Sequence, residues 1–175
     1  MNKFEKRPDP KNDGKTHINT HSKTHSRLGE ILSPPFETGE PLHHPLLGHF
    51  RTVENAWCWI NTGGNRDRLR TLLPSEARHI TRLSEKFKCD KFRELIRDIT
   101  IVKLKHNNDW WVEMADSTLP FDHYFLRGKG KDQLAVRPAH SDMYIGILNE
   151  VREIARGNKK HEFVRFSDMN FFKLD

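Results

Sequence analysis

Cysteine is scarce in this 175-residue chain: there are two, Cys58 and Cys89, with no CxxC spacing. That excludes a disulfide framework and a cysteine-based zinc site. Both sit among apolar neighbours at helical spacing and read as reduced core residues. No apolar run approaches the ~20 residues a bilayer span needs. The opening MNKFEKRPDPKNDGK has no apolar signal-peptide core, so the expectation is a soluble, cytoplasmic protein with no membrane partner. GxSxG, HExxH, the P-loop spacing and GxGxxG are all missing. Their absence removes the nucleophile elbow, the zincin helix and the two common glycine-rich nucleotide loops. Apolar residues make up only 35%, below the roughly 45–50% of a typical globular chain, so part of the sequence is expected not to fold.

What is present is charge. Thirty Lys and Arg against 24 Asp and Glu give +6, a diffuse basic balance that favours anionic partners such as nucleic acid or phosphorylated small molecules. The length suits one domain. Residues 1–27 hold almost no apolar side chains and are expected to be a flexible basic tail, leaving 28–175 as a single domain. Within the tail THINTHSKTH spaces His17, His21 and His25 four apart. On a helix they would share one face. The intervening Thr, Asn and Ser are poor helix formers and no Cys or carboxylate completes a shell, so no metal is expected.

Four prolines and three glycines between Leu28 and Gly48 mark turns and short extended pieces. Helical periodicity then begins at Phe50, Val53, Trp57 and Ile60, with Thr52 as cap and Asn61-Thr62-Gly63-Gly64 as stop. Pro74 to about Asp98 reads as two helices or one kinked helix. ITIVKLK and WWVEM read as β-rich runs around His106–Asp109, a hairpin candidate. SDMYIGILNEVREIA is a helix with Ser141 at its cap, and HEFVRF alternates like a short strand. The fold class expected is α+β, a helix-rich single domain with a small β-sheet or hairpin.

Two clusters carry chemistry. At 100° per residue, Glu54 and Asn61 fall about 40° and 20° from Phe50, at the border of the buried stripe. A carboxylate there needs a partner or a polar pocket. The second cluster is FDHYFLRGKGK. It sets Asp122 beside His123, then Tyr124 and Phe125, then a basic glycine loop whose Arg127, Lys129 and Lys131 suit phosphate oxygens. Two carboxylates, Glu54 and Asp122, are what glycosidic chemistry commonly uses, one for the developing cation and one for water or leaving group.

FRTVENAWCWI resembles the motif near the start of NADAR domains, the NAD- and ADP-ribose-associated family, with Glu54 at the family's glutamate. WWVEMADSTLPFDHYF is similar to a later segment through Val112, Glu113, Asp122, Tyr124 and Phe125. GKGKDQ and IGILNEVREIA resemble the closing loop and helix through Asp142, Gly146, Leu148, Glu150 and Arg152. Asn61 stands where members often have lysine, and Phe125 replaces the usual tryptophan. The resemblance implies a hydrolase of N-glycosidic bonds to ribose, acting on ribosylated small molecules or removing ADP-ribose from guanine bases. It implies Glu54 and Asp122 as catalytic residues, and Trp57, Asn61, Tyr124, Phe125, Arg127, Lys129, Lys131 and Asp142 as substrate contacts, with no cofactor. The alternatives are a non-catalytic module that binds ADP-ribose or NAD, and a basic nucleic-acid-binding domain.

Overall fold

The computed structural model describes residues 8–21, 23–128 and 133–174. Six α-helices are found among them: α1 (Arg27–Leu32), α2 (Val53–Ile60), α3 (Pro74–Leu83), α4 (Phe92–Lys105), α5 (Asn108–Asp116) and α6 (Ser141–Ala155). Eight short strands pair two by two: β1 (Ile18–Asn19) with β5 (Phe121–Asp122) in parallel, and three antiparallel pairs. These are β2 (Leu42–His44) with β3 (Gly48–Phe50), β4 (Phe87–Cys89) with β8 (Phe171–Lys173), and β6 (Phe125–Arg127) with β7 (Leu134–Val136). The architecture is helix-rich α+β. No described helix is long and apolar enough to cross a membrane.

The core forms around α4, which packs against α2, α5, α6 and β2. Leu95, Ile96, Ile99, Ile101 and Leu104 of α4 are fully buried. This is where the expected hairpin gives way to two helices. The β-branched run Ile99-Thr100-Ile101-Val102 favours strands by intrinsic preference, but burial between two helical neighbours outweighs a propensity worth only tenths of a kcal/mol per residue. The supposed turn is the helix junction: the Asn107 side chain accepts from the Asp109 amide at 2.9 Å and starts α5. On that helix Trp110 packs edge-on against Phe36 while Trp111 lies under the Lys105 ammonium.

Thr52 caps α2 as the spacing predicts, accepting from the Asn55 amide. The stop at Gly63-Gly64 is steric as well as conformational. Both have positive φ, and a Cβ on Gly64 would stand 2.8 Å from the Phe171 ring. The stretch 74–98 is two helices with β4 between them. At α6 the cap position is His140 and not Ser141, whose hydroxyl lies within bonding distance of the Pro138 and His123 carbonyls. His161 to Phe166 form no strand. The segment is pinned instead to the buried Asp98, through His161 and the Val164 amide.

The flexible tail expected over residues 1–27 is not what most of that stretch forms. Residues 1–7 lie outside the described residues, but 8–21 and 23–27 fold into the domain. Asp13 is buried and accepts from the Asn19 amide, the Thr24 hydroxyl and the His25 amide. The Ile18 amide donates to Pro120 O, and the Thr20 amide donates to Asp122 O. Composition counted only apolar burial; here a turn-binding carboxylate and a parallel backbone ladder supply the ordering. The start of the next stretch, expected to be loop, is α1. Ser26 caps it, and only a glycine at position 29 fits, since a Cβ there would be 2.2 Å from Asn19 O.

Candidate functional site

The first candidate, Glu54, sits in the opening turn of α2 with its amide donating to Pro34 O. Its side chain is 14% exposed, and its Oε1 lies 2.8 Å from Nε of Arg78 on α3. Burial raises the carboxyl's pKa, and the charges of Arg78 and Arg82 oppose that rise. One turn on, the half-buried Trp57 stands edge-on to Phe92 at 4.8 Å and stacks obliquely on His140 at 4.6 Å. Asn61 ends the helix: its amide donates to Trp57 O and its carbonyl accepts from the Phe87 amide.

The second candidate, Asp122, is buried on β5. Arg137 grips it with two bonds, Nε to Oδ1 at 3.0 Å and Nη2 to Oδ2 at 2.9 Å, and the His123 amide donates to Oδ1 at 2.7 Å. Bidentate pairing of this kind fixes orientation as well as charge. His123 is buried too, its Nδ1 3.2 Å from the Thr20 hydroxyl. Burial, then the neighbouring His21 and His140, push its pKa down to about 4. His140 is lowered for similar reasons, burial first. At neutral pH His123 is therefore an uncharged imidazole.

Ring contacts join the two candidates' surroundings. From Trp57 the path runs to His140, to His123 at 6.0 Å, to His21 at 5.2 Å and to Phe125 at 5.7 Å. Tyr144 of α6 touches both Trp57 and His123. Thus the α2 face beside Glu54 and the strand carrying Asp122 share one wall of aromatic and imidazole rings, contributed by four separate segments of chain.

Other expected contacts are placed differently. Tyr124 is 1% exposed and its hydroxyl is 2.9 Å from His17 Nε2, so it belongs to the core and offers no stacking face. Asp142 is exposed in the first turn of α6, and Arg127 is exposed at the end of β6. Lys129 and Lys131 lie outside the described residues. Four residues of the site escaped the sequence reading: Arg78, Arg137, His21 and His140. Three carry no motif at all, and His21 was assigned to the tail. Among the described residues no group of three or more His, Cys, Asp or Glu is arranged to hold a metal ion. A groove of about 600 Å³ lies away from both carboxylates, lined by Ile18, Arg27, Leu28, Val112, Glu113 and Leu119.

Comparison with known proteins adds no neighbour: no family model, no curated protein and no solved structure matches the chain.

Proposed function

We propose that the protein hydrolyses N-glycosidic bonds of ribosylated or ADP-ribosylated substrates, with Glu54 at the centre of the reaction. The observation that carries this reading is the state of Glu54: a carboxyl group made more basic by burial, paired with Arg78 within reach of Arg82, one helical turn from a half-buried tryptophan. The bond from the anomeric carbon to the base nitrogen breaks with its electron pair going to the base, and the ionised Glu54 stabilises the oxocarbenium-like charge that develops on the sugar. Water then bonds to that carbon and gives a proton to Glu54, which passes it to the departing base nitrogen, so that the base leaves neutral and the carboxylate is regenerated. Asp122 has both oxygens engaged, so its part is to orient Arg137 and the β5 backbone towards the ring wall. The lysine–glycine loop and the basic balance suit the phosphates of such a substrate or of a nucleic acid carrying it.

One observation favours a second reading. Glu54 and Asp122 each already have an arginine partner, as expected of a structural pair in a module that binds ADP-ribose or NAD without turnover. The two readings separate in one experiment: wild type and Glu54→Gln are incubated with ADP-ribosylated guanine DNA and with ribosylated small molecules, and release of ADP-ribose or ribose is followed by mass spectrometry. Release by wild type alone supports the hydrolase. Silence from both, with ADP-ribose still raising Tm, supports the binding module; silence without any shift in Tm removes both.

A further inference from the structure

The hairpin of β2 and β3 presents two histidines directly opposite one another. In its register Leu42 faces Phe50, His43 faces His49 and His44 faces Gly48. Alternation along the strands sends Leu42, His44 and Phe50 inward, all essentially inaccessible, and His43 and His49 outward. The two outward rings have centroids 4.5 Å apart at 44°. Neither takes part in a hydrogen bond or ion pair among the described residues. The scaffold beneath them is firmly held. His44 Nδ1 accepts from the Leu46 and Leu47 amides at 3.2 Å each, and its Nε2 faces the buried Asp98. On the outer side Glu37 and Glu40 line a depression of about 250 Å³ together with His49, next to Arg51, which pairs with Glu37.

We infer that His43 and His49 form a two-imidazole chelate for a divalent late transition metal ion, of the class Cu²⁺, Ni²⁺ or Zn²⁺. Imidazole nitrogen is the ligand these ions share, and carboxylate-preferring Mg²⁺ and Ca²⁺ are excluded by the donor set. Two nitrogens bound to one tetrahedral ion at ~2.0–2.1 Å stand about 3.4 Å apart. Rings with centroids 4.5 Å apart reach that separation by rotation about the soft χ2 torsion, without moving the strands. The backbone ladder has already fixed the two side chains side by side, so the second nitrogen binds at high effective concentration. No third His, Cys, Asp or Glu joins them among the described residues, so water fills the remaining positions. The site is independent of the proposed hydrolase chemistry, and its closest link to that chemistry is that β3 leads through Thr52 into α2. An ion across the hairpin would brace the strand from which the Glu54 helix starts.

The test uses the full chain free of any affinity tag. Ni²⁺ and Zn²⁺ are titrated calorimetrically into wild type, His43→Ala, His49→Ala and His79→Ala, the last an exposed histidine on α3. Circular dichroism checks that each variant is folded, which is expected because the replaced rings are on the solvent face. The expected result is one ion per chain, bound more weakly by tenfold or more in each hairpin variant and unchanged in His79→Ala. Cu²⁺-loaded protein should show two equatorial nitrogens by electron paramagnetic resonance, falling to one in either hairpin variant. Absence of binding by wild type, or binding indifferent to both hairpin substitutions, overturns the assignment; the second outcome would place the ion on other histidines, such as those at 17, 21 and 25.

Discussion

Replacing Lys103 with methionine should stabilise the protein at neutral pH and flatten its stability profile above it. Lys103 lies in the last turn of α4, 1% exposed. Its ammonium donates one hydrogen bond of 2.8 Å, to Ser33 O, and stands 5.4 Å from the centre of the Phe36 ring. Burial pushes its pKa down from 10.5 to about 7. At 1.36 kcal/mol per pH unit that fall corresponds to roughly 5 kcal/mol between the charged and neutral forms. The unfolded chain holds the Lys103 proton up to about pH 10.4, while the folded chain gives it up near 7. Between these values the unfolded state binds more protons, so stability rises with pH, by up to about 1.4 kcal/mol per pH unit. Methionine fills a similar volume and does not titrate. It leaves the Ser33 carbonyl without its donor, at a cost of about 1–3 kcal/mol, so the net gain near pH 7 is on the order of 1–3 kcal/mol. Urea unfolding of wild type and Lys103→Met at several pH values between about 7.5 and 9.5 measures the difference directly. The variant's advantage should shrink as pH rises and then reverse, because the neutral Lys103 amine still donates to Ser33 O while methionine cannot. Parallel curves would mean that Lys103 keeps an ordinary pKa when folded, and that the burial reasoning is wrong.

Arg78→Ala removes the larger of the two charges that oppose the upward shift of Glu54. If Glu54 acts as a base, the acidic limb of the profile of kcat/KM against pH moves to higher pH, while Glu54→Gln has no activity to titrate. Asp98→Asn should cost about 3–5 kcal/mol in urea unfolding at pH 7, because it breaks a buried pair that His44, His161, Arg97 and the Val164 amide all serve. The contribution of Asp98, whose folded pKa lies below 3.8, is present above its unfolded value and lost as pH falls through the folded one. His123, lowered to about 4, should show an NMR titration midpoint near that value. As pH falls from about 6.5 towards 4 it should withdraw roughly 3 kcal/mol of stability; a midpoint near 6.5 would refute the buried, neutral assignment.

The fold class, the capped start and glycine stop of α2, the helical character of the stretch from Pro74 to about Asp98 and the apolar face of α6 were legible because each follows from a local rule. Periodicity, caps and glycines act within a few residues. What local rules missed was decided by distant neighbours. Ile99 to Val102 look like a strand until α2, α6 and β2 enclose them. Tyr124 looks like a stacking wall until His17, 107 residues away, accounts for its hydroxyl. The site suffers most from this limit. Glu54 was correctly placed at the margin of the core from its angle on the helix, but its partner Arg78 is one of thirty cations, and the pairing depends on how α3 docks. Arg137 and His140 flank the start of α6 in an unremarkable PAH sequence, and nothing local says that they meet Asp122 and Trp57.

The folded N-terminal segment changes what a deletion can mean. A basic tail that recruits nucleic acid would be tested by removing residues 1–27, but that deletion would also take away β1, the Asp13 turn, the Thr20–His123 contact and the His21 ring that bridges His123 to Phe125. Loss of binding would then follow from collapse of the ring wall as readily as from loss of charge. Charge and architecture separate at Lys11 and Lys15, which are exposed and whose side chains hold nothing in place among the described residues. If the segment serves nucleic acid, Lys11→Gln with Lys15→Gln should weaken DNA binding and reduce its dependence on salt by about two phosphate contacts, at unchanged Tm. If it serves the site, the pair should leave binding and turnover alone, while Thr20→Val, which disturbs the contact to His123, should alter activity. Because Thr20 is buried against the strand of Asp122 and the lysines face solvent, the two outcomes draw on different parts of one segment and do not mask each other.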